Sequence, residues 1–187
     1  DAVIIRGRTK MTAEVIAAEK NLKVIGLAGV GVDNIDLKAA QAHQISVVNA
    51  AVATTQAVAE LTLGFMFALV REIPRADASM KAGQWLKKEF NGAELFGKTL
   101  GIIGFGNIGS TVGKYAQALG MNVLAFDPFR DQANIIAQGA ECVSFDELLS
   151  RSDMISIHAP YKEQNHHLIN DEAFAKMQDG VFLVDDA

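Results

Sequence analysis

The sequence predicts an α/β protein built on parallel sheets, and three observations predict it. Short β-branched apolar runs alternate with helix-like segments from end to end. Most of these runs are apolar throughout rather than at every second residue, the pattern of strands covered on both faces. From Lys98 onward the order becomes regular, with five strands separated by four helices, which is the rhythm of a parallel sheet with crossover helices.

In chain order, buried strands are expected at residues 3–5, 24–27 and 45–48, with helices at 12–19 and 35–42 between them. Thr12 and either Asp33 or Asn34 serve as N-caps, their side-chain oxygens answering the unpaired amides of a first turn. Residues 57–71 form the longest helix, apolar over much of its circumference, and such a helix is buried in a core or against a second subunit. Pro74 and the polar stretch 81–91 interrupt the pattern, with Trp85 and Phe90 pinning a surface loop or short helix to the body. Strands follow at 99–103, 122–126, 141–143, 154–158 and 181–184, and helices at 107–119, 132–138, 145–150 and 171–177.

Composition narrows the function. A net charge of -5 with interspersed signs provides no basic stripe for nucleic acid or an anionic membrane. The longest apolar run, residues 61–70, is about half of what a bilayer-spanning helix needs. One cysteine, Cys142, allows neither an internal disulfide nor a multi-cysteine zinc site, which fits a reducing cytoplasm. No metal site is expected. The chain opens on an apolar strand without the basic start of a signal peptide, so it is expected to begin inside a fold.

The sharpest local signal is Gly104-Phe105-Gly106-Asn107-Ile108-Gly109. It directly follows one expected strand and opens the next helix, the context that makes G-x-G-x-x-G informative. Gly104 permits the tight turn, Gly106 lets the backbone approach a pyrophosphate, and Gly109 lets helix and strand pack closely. The anion belongs on the amides near Asn107 and Ile108, at the positive end of the helix dipole. Asp127 stands about 20 residues past the glycines, where a carboxylate accepts from ribose hydroxyls. That charge disfavours the extra phosphate of NADP, so NAD is the expected cofactor, with Arg130 nearby as the counter-signal. The expected fold of this part is a Rossmann-type, doubly wound parallel sheet.

Several separated motifs then carry a resemblance. Residues 24–36 (VIGLAGVGVDNID), Ala59-Glu60-Leu61-Thr62, residues 95–104 (LFGKTLGIIG), His158-Ala159-Pro160, Leu168-Ile169-Asn170 and residues 180–187 (GVFLVDDA) occur in order along the whole chain. In these the sequence resembles the D-isomer-specific 2-hydroxyacid dehydrogenases, and among them most the 3-phosphoglycerate dehydrogenases of serine biosynthesis. The resemblance implies that residues 1–50 are part of a smaller, flavodoxin-like substrate domain. Residues 51–187 would then be an NAD-binding domain lacking its last strands. Cofactor contacts are implied at Val30, His158, Ala159, Pro160, Asp186 and Ala187 as well as at the glycine loop and Asp127. Substrate contacts are implied at Arg6, Val30, Gly31 and Thr54. Arg6 reads equally as a solvated charge at a strand end, since most arginines are exposed.

The implied reaction is hydride transfer between nicotinamide and a 2-hydroxy or 2-keto acid, with 3-phosphoglycerate the first expectation and lactate or glycerate/glyoxylate types the alternatives. The family's catalytic Arg, Glu and His are expected after Ala187, so residues 1–187 alone are expected to bind cofactor and not turn over. None of the four histidines takes that role. His158 reads as a packing or cofactor-lining residue, and His43, His166 and His167 as surface or loop residues. A homodimer through the nucleotide domain is implied. A reading of another class, an NAD-binding regulatory module similar to co-repressors that resemble this family, has no partner motif to carry it.

The sequence departs from the family pattern at named positions. Leu27 stands where related phosphoglycerate dehydrogenases carry an Arg that helps hold the substrate phosphate. Residues 54–57 (TTQA) replace a stretch containing Asn and Ser, and residues 161–165 (YKEQN) lack the usual threonines. Asp185-Asp186 replaces the commoner Asn followed by Thr or Cys. A carboxylate at Asp186 is expected to favour the cationic, oxidised nicotinamide.

Overall fold

The computed structural model describes residues 1–160 and 163–186, apart from the side chain of Gln164. It divides into two compact units, Asp1–Thr55 and Gln56–Ala187.

In the first unit β1 (Ala2–Ile5), β2 (Val24–Leu27) and β3 (Ser46–Asn49) pair in parallel in the order β1-β2-β3. Helices α1 (Ala13–Ala18) and α2 (Leu37–Ala42) make the crossovers. Ile5, Met11, Ile16, Ile25, Leu27, Ile35, Ala40 and Ile45 form its core. Thr12 caps α1 as expected, but the cap of α2 is Asp36, whose Oδ1 accepts from Ala39 N–H at 2.9 Å. The earlier candidates fail because the chain needs 33–35 for a parallel bridge from Ile35 to Met11 before the helix can start. The strands are also less buried than expected. Ile4, Gly26 and Val48 sit side by side across the sheet, and Ile4 is 81% and Val48 58% exposed. Successive side chains point to opposite faces, and the residues of the other face make up the core.

The second unit carries β4 (Thr99–Ile103), β5 (Asn122–Phe126), β6 (Glu141–Cys142), β7 (Met154–Ile157) and β8 (Phe182–Asp185), all parallel, in the order β6-β5-β4-β7-β8. On one face, α3 (Thr55–Val70), α5 (Asn107–Ala118) and α6 (Gln132–Ala137) pack a core including Met66, Leu100, Ile102, Val112, Ala116 and Ile135. On the other, α7 (Phe145–Arg151) and α8 (Asp171–Lys176) enclose Ile103, Leu148, Leu149, Ile155 and Ala173. This is the doubly wound sheet the sequence predicts. All four residues of β7 are buried, as are four of the five in β4. Local chemistry sets the helix starts: Ser144 and Glu147 form a reciprocal capping box on α7, and Asn170 caps α8.

Two expectations are corrected here. Pro74 does not interrupt helical structure; it lies in the first turn of α4 (Ile73–Lys81), where a missing N–H costs nothing. Trp85 pins nothing, being 75% exposed, while Phe90 receives the Arg75 guanidinium over its ring at 5.0 Å. Helix α3 buries only Ala59, Thr62, Met66 and Val70, leaving Leu61, Phe65, Phe67 and Leu69 between 38% and 49% exposed. Among the described residues no helix is long and apolar enough to cross a membrane.

Candidate cofactor site

The carboxyl ends of three neighbouring strands define the site, where ligands bind in open parallel sheets. Strand β4 turns at Gly104, β5 ends at Phe126 ahead of Asp127, and β7 runs into His158-Ala159-Pro160. Gly104 N–H donates to Phe126 O at 2.9 Å, and His158 N–H to Ile103 O at 2.8 Å. Gly104 has φ +89°, and a Cβ there would stand 2.8 Å from backbone atoms of His158 and Ala159. The first glycine is therefore required twice, by its dihedral and by a neighbouring strand end that cannot yield as a side chain would.

Asp127 is bound on both oxygens. Its Oδ2 accepts from Phe105 N–H and its Oδ1 from Phe129 N–H, each at 2.9 Å. Each carboxylate oxygen has a second lone pair, so the side chain fastens the glycine loop and still presents acceptors to a ribose. Around it lies a cavity of about 390 Å³ whose lining includes Gly104, Gly106, Asp127, His158, Ala159 and Pro160. Phe126, Phe129 and Leu168 add an apolar wall, suited to a flat heteroaromatic ring.

The remaining glycines differ in what surrounds them. A Cβ on Gly106 would meet nothing within 4 Å, whereas one on Gly109 would overlap the Gly104 carbonyl oxygen and lie 3.0 Å from Ile102 Cγ2. Space is thus kept open over Gly106 and closed at Gly109. Asn107 and Ile108 begin the twelve-residue α5, with Gly106 as its N-cap lacking a side chain. The first-turn amides consequently have no side-chain cap, which is the donor set a pyrophosphate needs. These residues fit a dinucleotide.

His158 borders the cavity, but its imidazole turns inward. Its side chain is 1% exposed, with Nε2 2.9 Å from Ser156 Oγ and Nδ1 3.6 Å from Asp186 Oδ1. Burial pushes its pKa below the usual histidine value, although the Asp186 and Asp185 charges act in the opposite direction. Asp186 is also buried, its Oδ2 accepting from Thr62 Oγ1 at 2.6 Å. Ala187 lies outside the described residues.

The substrate-side candidates lie on the first unit, also at carboxyl strand ends. Arg6 follows β1 and is exposed. Val30 and Gly31 lie in the loop after β2, where the Val30 carbonyl accepts from Asn49 Nδ2 at 2.7 Å. Thr54 is half-buried in the turn before α3. His43 is the exposed C-cap of α2, and His166 and His167 are exposed with rings stacked at 3.8 Å. Sequence reasoning missed Thr62, Ser156 and Asn49. Thr62 had a visible signal, a hydroxyl within an otherwise apolar helix face, whereas its partner lies 124 residues away.

Residues 63–187 match the family model described as D-isomer specific 2-hydroxyacid dehydrogenase, NAD binding domain. The chain is 48% identical over 187 residues to a hydroxypyruvate reductase of Thermotoga maritima, spanning all of this chain and 60% of that relative. It is 49% identical over the same length to a D-3-phosphoglycerate dehydrogenase of Archaeoglobus fulgidus, spanning 36% of it. The chain thus spans less than two thirds of the length of each of these relatives. Among solved structures, D-lactate dehydrogenase from Aquifex aeolicus, complexed with NAD and lactic acid, superposes with a TM-score of 0.87 at 35% identity. That match covers 98% of this chain and 55% of the other.

Proposed function

The chain belongs to the D-isomer-specific 2-hydroxyacid dehydrogenases, with NAD as cofactor, and from that premise we propose that it serves an NAD-dependent dehydrogenase of D-2-hydroxy acids. The observation that carries this reading is Asp127, fastened to the glycine loop through Phe105 and facing the cavity after β4 and β5. In it, Gly104, Gly106, Asn107, Ile108 and Gly109 hold the pyrophosphate, Asp127 the adenosine ribose, and Ala159 with Pro160 the adenosine side. When bound, NAD supplies the nicotinamide that exchanges hydride with C2 of the acid. Arg6, Val30, Gly31 and Thr54 are assigned to the substrate side. Residues 1–50 act as substrate-domain structure and 51–187 as the cofactor domain.

The names of the relatives support either a phosphorylated or an unphosphorylated three-carbon acid. 3-Phosphoglycerate is the first reading. Leu27 favours the second, hydroxypyruvate or glycerate, because its side chain is 3% exposed in the core of the first unit and offers a phosphate nothing. The exposed Leu61, Phe65 and Leu69 along α3 support pairing of two copies through the nucleotide domain. The single, half-buried Cys142 is in keeping with a reducing cytoplasm.

The test has two stages. Calorimetric titration with NADH is expected to give saturable binding and a raised melting temperature; no heat and no thermal shift would defeat the cofactor reading. NADH oxidation by the full-length protein is then compared with phosphohydroxypyruvate, hydroxypyruvate, pyruvate and glyoxylate. Inactivity with all four would defeat the proposed activity, and the ratio of the first two decides the role of Leu27.

A further inference from the structure

Between β7, β8 and α3 lies a chain of four polar side chains, Ser156, His158, Asp186 and Thr62, whose charge the cofactor contacts described above leave unassigned. Ser156 Oγ is 2.9 Å from His158 Nε2, His158 Nδ1 is 3.6 Å from Asp186 Oδ1, and Asp186 Oδ2 is 2.6 Å from Thr62 Oγ1. The His158 and Asp186 side chains are 1% and 5% exposed, and Thr62 and Ser156 are fully buried. His158 Nδ1 and Asp186 Oδ1 face each other without a hydrogen bond to any described atom.

The proton inventory says which charge resides here. Thr62 has one hydroxyl proton and two acceptors in reach, Val58 O at 2.9 Å and Asp186 Oδ2 at 2.6 Å, and the shorter, charged acceptor takes it. Charged groups acting on the imidazole are Asp186, which follows β8, and Asp185 at the end of that strand, while α3 contributes the neutral Thr62 and β7 the neutral Ser156. With the imidazole neutral, in either tautomer, the cluster keeps one negative charge. A buried carboxylate without a cation is costly. An amide could take the same hydrogen bonds without charge, so packing alone does not require an acid.

Strand order indicates the cation. Asp127 fixes the adenosine half at β5, and the pyrophosphate belongs at the start of α5, directly after β4. The other half of a dinucleotide therefore extends beyond the β7 end, whose Ala159 and Pro160 are assigned to the adenosine side, toward β8, whose carboxyl end is followed by Asp186. Only the oxidised nicotinamide ring is positively charged.

We propose that Asp186, held by Thr62 and facing His158, is a specificity-determining residue that makes this site favour the oxidised over the reduced nicotinamide. The proposal rests on reading the cavity as the NAD site. Its test is the ratio of the NADH and NAD⁺ dissociation constants in the full-length protein, measured by fluorescence and calorimetric titration. Asp186→Asn is expected to weaken NAD⁺ by on the order of tenfold, about 1.4 kcal/mol, and to leave NADH nearly unchanged. General disturbance of the fold would weaken both nucleotides together and leave the ratio in place, so an unchanged ratio in Asp186→Asn overturns the proposal. Asp186→Ser, smaller and also neutral, must move the ratio in the same direction. If it does not, the effect of Asn is not one of charge, and the proposal falls. If the unaltered protein binds neither nucleotide, the cofactor reading itself is wrong and the inference goes with it.

Discussion

Replacing Gly106 and Gly109 separately by alanine should split two properties that a glycine-rich loop usually confounds. At Gly106 the backbone has φ −76° and ψ −155° and a new methyl meets nothing within 4 Å. Alanine adopts such dihedrals, and the reduced freedom of the unfolded chain is worth about 0.4–1 kcal/mol. Gly106→Ala should therefore melt at or slightly above the parent temperature. The same methyl occupies the approach of the pyrophosphate, and overpacking of roughly 1–3 kcal/mol corresponds to about five- to 150-fold weaker NADH binding. At Gly109 the methyl overlaps the Gly104 carbonyl oxygen and lies 3.0 Å from Ile102 Cγ2, so α5 must move off β4 whether or not cofactor is present. The same roughly 1–3 kcal/mol then falls on folding and lowers the melting temperature by about 2–12 °C. Differential scanning fluorimetry without ligand and calorimetric titration with NADH measure the two effects. Unchanged NADH affinity in Gly106→Ala, or equal destabilisation by both variants, would refute the assignment of the open space to the pyrophosphate.

Three further outcomes follow from the geometry. Asp127→Ala leaves the buried Phe105 N–H without its partner, at a cost of about 1–3 kcal/mol, so it should lower both the melting temperature and NADH affinity; Asp127→Asn, which keeps an acceptor for Phe105, should lower chiefly the affinity. His158 has its pKa depressed by burial, so between the folded and unfolded pKa values the unfolded chain binds the extra proton. Stability is therefore complete above the unfolded value of about 6.5 and is lost as pH falls from there toward the folded value. Urea midpoints at pH 7.5 and 5.5 should show this fall, with a smaller one in His158→Gln. Ser144→Ala removes the capping box of α7 and should cost about 1 kcal/mol in urea unfolding without altering NADH affinity.

The β4–α5–β5 segment was legible because its constraints are local. A turn at positive φ, a helix that must approach a strand, and a carboxylate at the next strand end each leave a residue at a fixed spacing. Helix α4 was misread because Pro74 breaks a helix only in its interior, and here it lies in the first turn. Trp85 was misread because size and hydrophobicity say nothing about whether a neighbouring surface exists to receive the ring. The Asp36 cap was missed by two or three residues, since the preceding bridge to Met11 is a pairing between distant segments. The Thr62–Asp186–His158 cluster was illegible for the same reason, because α3, β7 and β8 meet only after the sheet has formed. Asp186 stands out in the sequence as an unusual acid, whereas nothing there marks Thr62 and Ser156 as belonging with it.

The double attachment of Asp127 ties cofactor choice to loop architecture. A protein that drifts toward NADP by losing this acid also removes an anchor of the Phe105 amide and another of Phe129. Substitutions along that route that leave no side-chain acceptor therefore pass through a form with a loosened phosphate loop, weak for either dinucleotide. A productive switch keeps an acceptor near Phe105, from the replacing side chain or from a second change, so cofactor preference here is inherited together with the turn that carries it.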